Sequence, residues 1–174
     1  MILKIDNIEL KKVEKSDAQR LAEIANEKEI WRNLKDTYPF PYSEKDAIDF
    51  ITHSNETEYG SSLGIYLDNL LVGIIGVSRL SDIYRKTGLL GYWVAADQRN
   101  KGIISKSIPI IVEYAFSVMN LARVDALVYE YNPASIKVLE KCGFTLEAIS
   151  RKAAFKDNLL IDIHRYYLIN PKYS

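Results

Sequence analysis

The sequence predicts an α/β domain with a mixed, mainly antiparallel central sheet flanked by helices, and three observations carry that prediction. Strand-like runs at 62–67 and 71–80 flank Asp68-Asn69, and a third run at 87–94 follows closely. Runs in such close succession form an antiparallel meander rather than alternating βαβ units. The period then changes: Ile103, Ile104, Ile108, Ile111, Val112, Ala115, Phe116 and Met119 recur at helical spacing. Two further strand-like runs, 144–154 and 159–168, close the chain.

Residues 2–13 read as a strand or a strand pair. Ser16-Asp17 precede a helical face of Leu21, Ile24 and Ala25, with Ile30 the next candidate for that face. Tyr38-Pro39-Phe40-Pro41-Tyr42 cannot continue a helix, because two prolines remove donors and restrict their neighbours. Its aromatics therefore sit on a stiff loop between two helices, where packing and pocket lining are both open to them. Ser43 with Asp46 starts the next helix through Ala47, Phe50 and Ile51. Asp68-Asn69 marks a hairpin, Pro109 is placed to bend the long helix, 124–129 is a short strand, and 135–141 is a short helix that Gly143 terminates. Without a repeat, linker or low-complexity segment, residues 1–174 read as a single domain.

The balance of 23 basic and 23 acidic side chains argues against a protein that holds nucleic acid through counterion release. The charge is unevenly spread: residues 1–60 carry 9 basic and 13 acidic groups, residues 99–174 carry 11 and 7, so a polyanionic ligand belongs to the C-terminal half. One cysteine, Cys142, excludes an internal disulfide framework. The start MILKIDN lacks a signal-peptide pattern and no apolar run is long enough to cross a bilayer, so the expected address is cytoplasmic, with no membrane partner. Cys142 with the separated His53 and His164 makes no metal-ligand set.

The densest chemical signal is Trp93-Val94-Ala95-Ala96-Asp97-Gln98-Arg99-Asn100-Lys101-Gly102-Ile103-Ile104-Ser105, a strand, a polar turn and a helix start. N–H groups at a helix start lack intrahelical acceptors and suit phosphate oxygens. Gly102 lets backbone approach such a ligand, Ser105 offers a hydroxyl, and Arg99 or Lys101 can neutralise charge at the rim. A plain solvated turn explains the same residue types. In Tyr131-Asn132-Pro133-Ala134-Ser135, Asn132 serves as a helix cap or a ligand partner, and Ser135 as a first-turn hydroxyl or a proton donor.

Taken together, Arg99-Asn100-Lys101-Gly102-Ile103-Ile104, the long helix, the strand, Asn132-Pro133-Ala134-Ser135 and Val138-Leu139-Glu140-Lys141-Cys142-Gly143-Phe144 resemble the GCN5-related N-acetyltransferase family. The likeness covers nearly the whole chain and is nearest the branch of the ribosomal-protein N-terminal acetyltransferases. It implies a split between the fourth and fifth core strands, here at 89–95 and 124–129, whose exposed amides bond a pantetheine arm. It also implies acetyl-CoA as cofactor, its pyrophosphate wrapped by Arg99, Asn100, Lys101, Gly102, Ile103, Ile104 and Ser105. Asn132 lies beside the pantetheine or the adjacent helix, Ser135 near the thioester sulfur, and the N–H near Val94 faces the carbonyl oxygen. Ile104 stands where the family pattern has Gly or Ala, so its side chain must point away or reshape the approach.

The implied reaction is direct attack of a primary amine on the thioester, with the Val94 region as oxyanion donor and Ser135 assisting thiolate departure. The family's tyrosine acid is absent, since Val138, Leu139 and Glu140 occupy its neighbourhood. Tyr92, Asp162 and His164 are candidates for a base, each equally a strand residue on the other face, and a water relay needs none of them. His53 reads as an exposed helix end and Cys142 as a packed residue. The acceptor implied is an amine, a protein N-terminus or a small amine, chosen by 30–42, 81–86 and the connection near 156–158. Trp31, Tyr38, Phe40 and Tyr42 are candidates for its wall, and Glu29 or Asp36 for its charge. A homodimer, common in that branch, would complete a substrate groove. The competing classes are a noncatalytic acyl-CoA-binding regulator, suggested by Ile104 and the missing tyrosine, and a ribosome-associated interaction module.

Overall fold

The structure, a computed structural model, describes residues 2–56 and 62–173. In chain order the elements are β1 (Ile2–Ile5), β2 (Ile8–Lys11), α1 (Ala18–Ala25), α2 (Lys28–Arg32), α3 (Glu44–Glu56), β3 (Leu63–Leu67), β4 (Leu70–Arg79) and β5 (Thr87–Val94). They continue with α4 (Ile103–Ser117), β6 (Arg123–Tyr129), α5 (Pro133–Lys141), β7 (Thr145–Lys156) and β8 (Leu159–Ile169). The strands form one sheet in the order β1-β2-β3-β4-β5-β6-β8-β7. β5 and β6 pair in parallel, whereas β1 with β2, β2 with β3, β3 with β4, β6 with β8 and β7 with β8 are antiparallel. The sheet is thus mixed and mainly antiparallel.

The split expected between two central strands is present. The parallel register runs from Thr87 opposite Arg123 to Leu90 opposite Ala126 and ends there. Both strands continue, β5 to Val94 and β6 to Tyr129, and over that last stretch β6 pairs with β8. The parting strands are β5 and β6 in this numbering because residues 2–11 form two strands.

Local chemistry accounts for the element ends. Asp68 and Asn69 both take positive φ, 50° and 67°, as does the Asp157-Asn158 pair at 50° and 61°. Two successive left-handed residues match the right-handed twist of a hairpin, and Asp and Asn tolerate that conformation. At α3, the Asp46 carboxylate accepts the Ser43 N–H at 2.8 Å while the Ser43 hydroxyl accepts the Asp46 N–H at 3.2 Å. This is the reciprocal capping box that Ser43 and Asp46 predict. Gly143, at φ 85°, closes α5 with the Phe144 N–H bonded to the Leu139 carbonyl at 3.0 Å.

The chain divides into two compact units, residues 1–76 with 92–111 and residues 77–91 with 112–174. In the first, α1 and α3 bury Leu21, Ile24, Ala25, Ala47 and Ile51 against Tyr66, Leu71 and Ile74 of β3 and β4. Ile30 does not extend the α1 face. It lies on the separate helix α2, because Asn26 and Glu27 leave the helical conformation and the Asn26 carboxamide accepts the Tyr42 N–H at 2.9 Å. In the second unit, Val124, Ala126 and Val128 of β6, Leu139 of α5, and Ile161, Ile163 and Tyr166 of β8 are buried. β7 begins and ends slightly later than its hydrophobic run suggests, from Thr145 to Lys156, and two register shifts interrupt its pairing with β8.

Candidate functional site

In the first unit, the end of β5 leads directly into the polar turn. The Ala95 N–H donates to the Val72 carbonyl at 2.8 Å, which holds Val94 and Ala95 against β4. That approach needs Gly73: a Cβ there would lie 2.3 Å from the Trp93 carbonyl oxygen and 3.0 Å from the Val94 Cα. Beyond Ala95 the chain makes a short 3-10 turn, extends at Arg99, and then takes positive φ at Asn100 (60°) and Gly102 (74°). The Gly102 carbonyl accepts the first helical bond of α4, from the Lys106 N–H at 3.1 Å. The amides of Ile103 and Ile104 therefore open the helix, where intrahelical acceptors do not exist and the terminal dipole favours an anion.

The side chains of the turn are more occupied than the sequence suggests. Arg99 Nη2 donates to Glu27 Oε2 at 2.8 Å. Lys101 reaches the Gln98 carboxamide at 3.2 Å. The Ser105 hydroxyl donates to the Gly102 carbonyl at 2.9 Å, so in this state it braces the first turn of α4. Ile103 is buried, Ile104 is half-buried, and Asn100, Lys101 and Gly102 are exposed. The donor set at this turn, backbone amides with lysine and arginine at the rim, fits a diphosphate, and a Cβ at Gly102 would meet nothing nearer than 3.7 Å.

The four aromatics proposed as an acceptor wall separate into two pairs. Tyr38 and Tyr42 pack with ring centroids 5.0 Å apart and planes tilted by 34°, Tyr38 meets the Trp93 ring edge-on at 6.5 Å, and the Tyr38 hydroxyl donates to the Ala25 carbonyl at 2.9 Å. Tyr42 belongs to the core, and burial pushes both phenols well above the ordinary range. Trp31 and Phe40 form the second pair, 5.9 Å apart, and Phe40 is exposed. Glu29 bonds Asn33 at 3.2 Å, and Asp36 is exposed. Tyr92 is half-buried near the end of β5.

In the second unit, the Asn132 carboxamide accepts the Ser135 N–H at 3.2 Å with Pro133 in the first helical position, so Asn132 caps α5. Ser135, half-buried, lies in the first turn of that helix. Farther along α5, Val138 and Leu139 carry no hydroxyl, and Glu140 accepts the Tyr166 hydroxyl at 3.0 Å. Asp162 is fully engaged: it accepts the Lys152 N–H at 2.9 Å and the Arg151 guanidinium at 2.6 Å. Those donors hold its carboxyl below the ordinary value, which makes it a weak base. His164 is half-buried in β8 opposite Val128 and Ile149. Burial pushes the Cys142 thiol up, as suits a packed residue rather than a nucleophile. His53 is exposed near the end of α3. Among the described residues, no group of three or more His, Cys, Asp or Glu could hold a metal ion, and no helix is long and apolar enough to cross a membrane.

Three contributors escape the sequence patterns. Glu27 is 72 residues from Arg99. Glu130, whose carboxylate accepts the Asp162 N–H at 3.0 Å, is 32 residues from it. Gly73 acts through Trp93 on the neighbouring strand. No local spacing connects these pairs.

A parallel strand pair that parts within a mainly antiparallel sheet, with one parting strand feeding a glycine turn and a helix start, is the arrangement that the resemblance of the sequence implies. The chain belongs to the acetyltransferase (GNAT) domain family, whose pattern matches residues 7–145. It is 28% identical to the putative ribosomal N-acetyltransferase YdaF of Bacillus subtilis (strain 168), over 97% of this chain and 94% of that protein. It is 30% identical to the SPbeta prophage-derived uncharacterized N-acetyltransferase YokL of the same organism, over 77% of this chain and 75% of that protein. Among solved structures, it is similar to the microcin C7 self-immunity acetyltransferase MccE in complex with acetyl-CoA and AMP. That match has a TM-score of 0.81 and 25% identity over 95% of this chain and 94% of that one.

Proposed function

We propose that this protein transfers the acetyl group of acetyl-CoA to a primary amine, by direct attack of the amine on the thioester. The observation that carries the reading is the turn from β5 into α4, where left-handed Asn100 and Gly102 deliver the chain into a helix start whose amides suit a diphosphate. The acetyl-CoA in the MccE structure supports the choice of donor. The likeness to YdaF, the putative ribosomal N-acetyltransferase, supports a protein N-terminus as acceptor, with a small amine as the other acceptor class.

In this reading Arg99, Asn100, Lys101, Gly102, Ile103, Ile104 and Ser105 hold the diphosphate, largely through main-chain N–H groups. Ile104 keeps its amide whatever its side chain, so the substitution alters shape rather than charge. Asn132 presents the first turn of α5, and the Ser135 hydroxyl donates a proton to the departing sulfur. The main chain at Val94 supplies the donor for the developing oxyanion, in a position maintained by the close approach of Gly73. Asp162 takes no proton, because its bonds to Lys152 and Arg151 favour the charged form. The amine attacks in its neutral form, the proton it loses as the amide forms passes to water, and Ser135 regains from water the proton it gives to the sulfur. Phe40 and Trp31, with residues 30–42 around them, are the part of the first unit that meets the acceptor. The protein acts as a cytoplasmic enzyme, a single catalytic domain that pairs as a homodimer.

The test follows free coenzyme A release with acetyl-CoA and matched panels of N-terminal peptides, polyamines and small primary amines, with mass spectrometry to locate the acetylated atom. Amine-dependent release is expected. Binding of coenzyme A without release across the panels would favour a noncatalytic acyl-CoA-binding regulator, a reading to which the absence of a hydroxyl at Val138, Leu139 and Glu140 lends weight.

A further inference from the structure

Three bonds leave the junction between α1 and α2 in two directions. The Ala25 carbonyl accepts the Tyr38 hydroxyl at 2.9 Å, and Asn26 Oδ1 accepts the Tyr42 N–H at 2.9 Å. Both tie the junction to the loop at 38–42. The next residue, Glu27, accepts Arg99 Nη2 at 2.8 Å and so ties the same junction to the turn before α4. The backbone here is neither helix nor strand ladder: Asn26 has φ −80° and ψ 59°, and Glu27 is extended at φ −128° and ψ 127°. The Asn26 N–H donates to the Ala22 carbonyl at 3.1 Å and the Glu27 N–H to the Ala25 carbonyl at 2.9 Å, and the side chains of Asn26 and Glu27 add the links to the loop and to the turn.

Arg99 presents a planar fork of donors. Glu27 takes one N–H of Nη2, and the guanidinium has further N–H donors, at Nε and Nη1, with which to meet a phosphate oxygen. The loop at 38–42 returns to the site through its own packing, since Tyr38 meets Trp93, the neighbour of Val94, edge-on.

We propose that Glu27 is a positioning residue that, through Arg99, couples occupancy of the turn at 99–105 by the diphosphate of acetyl-CoA to the placement of the loop at 38–42. The inference rests on the function proposed above and adds to it a route that lies wholly within the first unit. A diphosphate bonded to a remaining N–H of Arg99 fixes the guanidinium, the guanidinium fixes Glu27, and the junction then holds the Tyr42 N–H and the Tyr38 hydroxyl more firmly. Such coupling is reciprocal, so an acceptor that orders the loop strengthens acetyl-CoA binding by the same factor.

The test uses coenzyme A alone as the probe, on the full chain of the wild type, Glu27→Gln and Glu27→Asp. Calorimetry records binding, amide hydrogen exchange follows the Tyr42 N–H, and near-ultraviolet circular dichroism verifies that each variant is folded. In the wild type, saturating coenzyme A is expected to slow exchange at Tyr42 about fivefold. In Glu27→Gln, coenzyme A still binds and the slowing disappears; Glu27→Asp, which keeps the charge, restores part of it. Equal slowing in wild type and Glu27→Gln, or none in a wild type that binds coenzyme A, overturns the coupling and leaves the proposed function standing. A wild type that does not bind coenzyme A overturns both. Should Glu27→Gln fail to fold, the comparison of wild type with Glu27→Asp decides: undiminished slowing in the shorter side chain overturns the coupling.

Discussion

Asp162 accepts the main-chain N–H of Lys152 at 2.9 Å, and that bond anchors the irregular stretch of β7 to β8. Between Ser150 opposite Ile163 and Ala154 opposite Ile161 the register shifts, and Lys152 takes positive φ at 50°. A residue without glycine's freedom holds that conformation when its surroundings over-determine it. Here the surroundings are one carboxylate, which also accepts from Arg151, while the Asp162 N–H is held by Glu130.

The first prediction concerns pH. The bonds from the Lys152 N–H and then Arg151 lower the Asp162 pKa from its ordinary value of 3.8. A group with a depressed folded pKa contributes stability above its unfolded pKa and loses it as pH falls through the folded one. Asp162→Asn is therefore expected to melt below the wild type at neutral pH, with the gap closing as the medium is acidified below the carboxylate range. Thermal unfolding of both proteins across pH checks this, and a gap that persists under acid would show that shape, not charge, holds the bulge.

Gly73→Ala tests the support of the Val94 main chain. Its Cβ would stand 2.3 Å from the Trp93 carbonyl oxygen, a contact with backbone that a rotamer change cannot relieve. The expected cost is about 1–3 kcal/mol in a denaturant titration. At temperatures where the variant remains folded, acetyl-CoA-dependent turnover should fall further than that stability loss accounts for, because the strand end that supplies the oxyanion donor moves.

At Gly102 the constraint is conformational, since a Cβ has room but φ is 74°. Gly102→Ala is expected to strain the turn by about 1–2 kcal/mol and weaken coenzyme A binding in calorimetry. Gly102→Asn should retain more affinity, because asparagine tolerates the left-handed region. Equal losses would show that something other than φ matters there.

Asn132→Ala removes the cap bond to the Ser135 N–H and is expected to cost about 1 kcal/mol of stability. Asn132→Asp and Asn132→Ser, which can cap, should recover most of it in the same melt. If turnover falls in all three while stability recovers, the carboxamide has a ligand role in addition to capping.

For Cys142, burial raises the thiol pKa and disfavours the reactive thiolate. Cys142→Ser should retain turnover, and alkylation of the native protein at neutral pH should be slow compared with that of the unfolded chain. Rapid loss of activity with stoichiometric alkylation would assign the thiol a place in the site.

Much of this architecture was legible because its causes are local. Asp68-Asn69, the Ser43 and Asp46 capping box, Asn132-Pro133 and Gly143 each act within a few residues, and each appears where its chemistry requires. β5 was read to its observed ends because polar breaks bound its apolar run. The split between α1 and α2 was not legible, since it depends on Asn26 meeting the Tyr42 N–H across 16 residues. The assignment of Tyr38 and Tyr42 to packing also needed the fold, because an aromatic loop rich in proline looks the same whether it lines a core or a pocket.

The sequence by itself determined most of the element types, the Asp68-Asn69 hairpin turn, the helix caps and the order of motifs that carries the family resemblance, through short-range sterics and hydrogen bonding. Only the tertiary structure decided that Arg99 is held by Glu27, that Asp162 is anchored to Lys152, and that Gly73 admits the Trp93 main chain. Each of these joins residues separated along the chain, and their proximity is set by strand register and helix packing rather than by spacing within any one element.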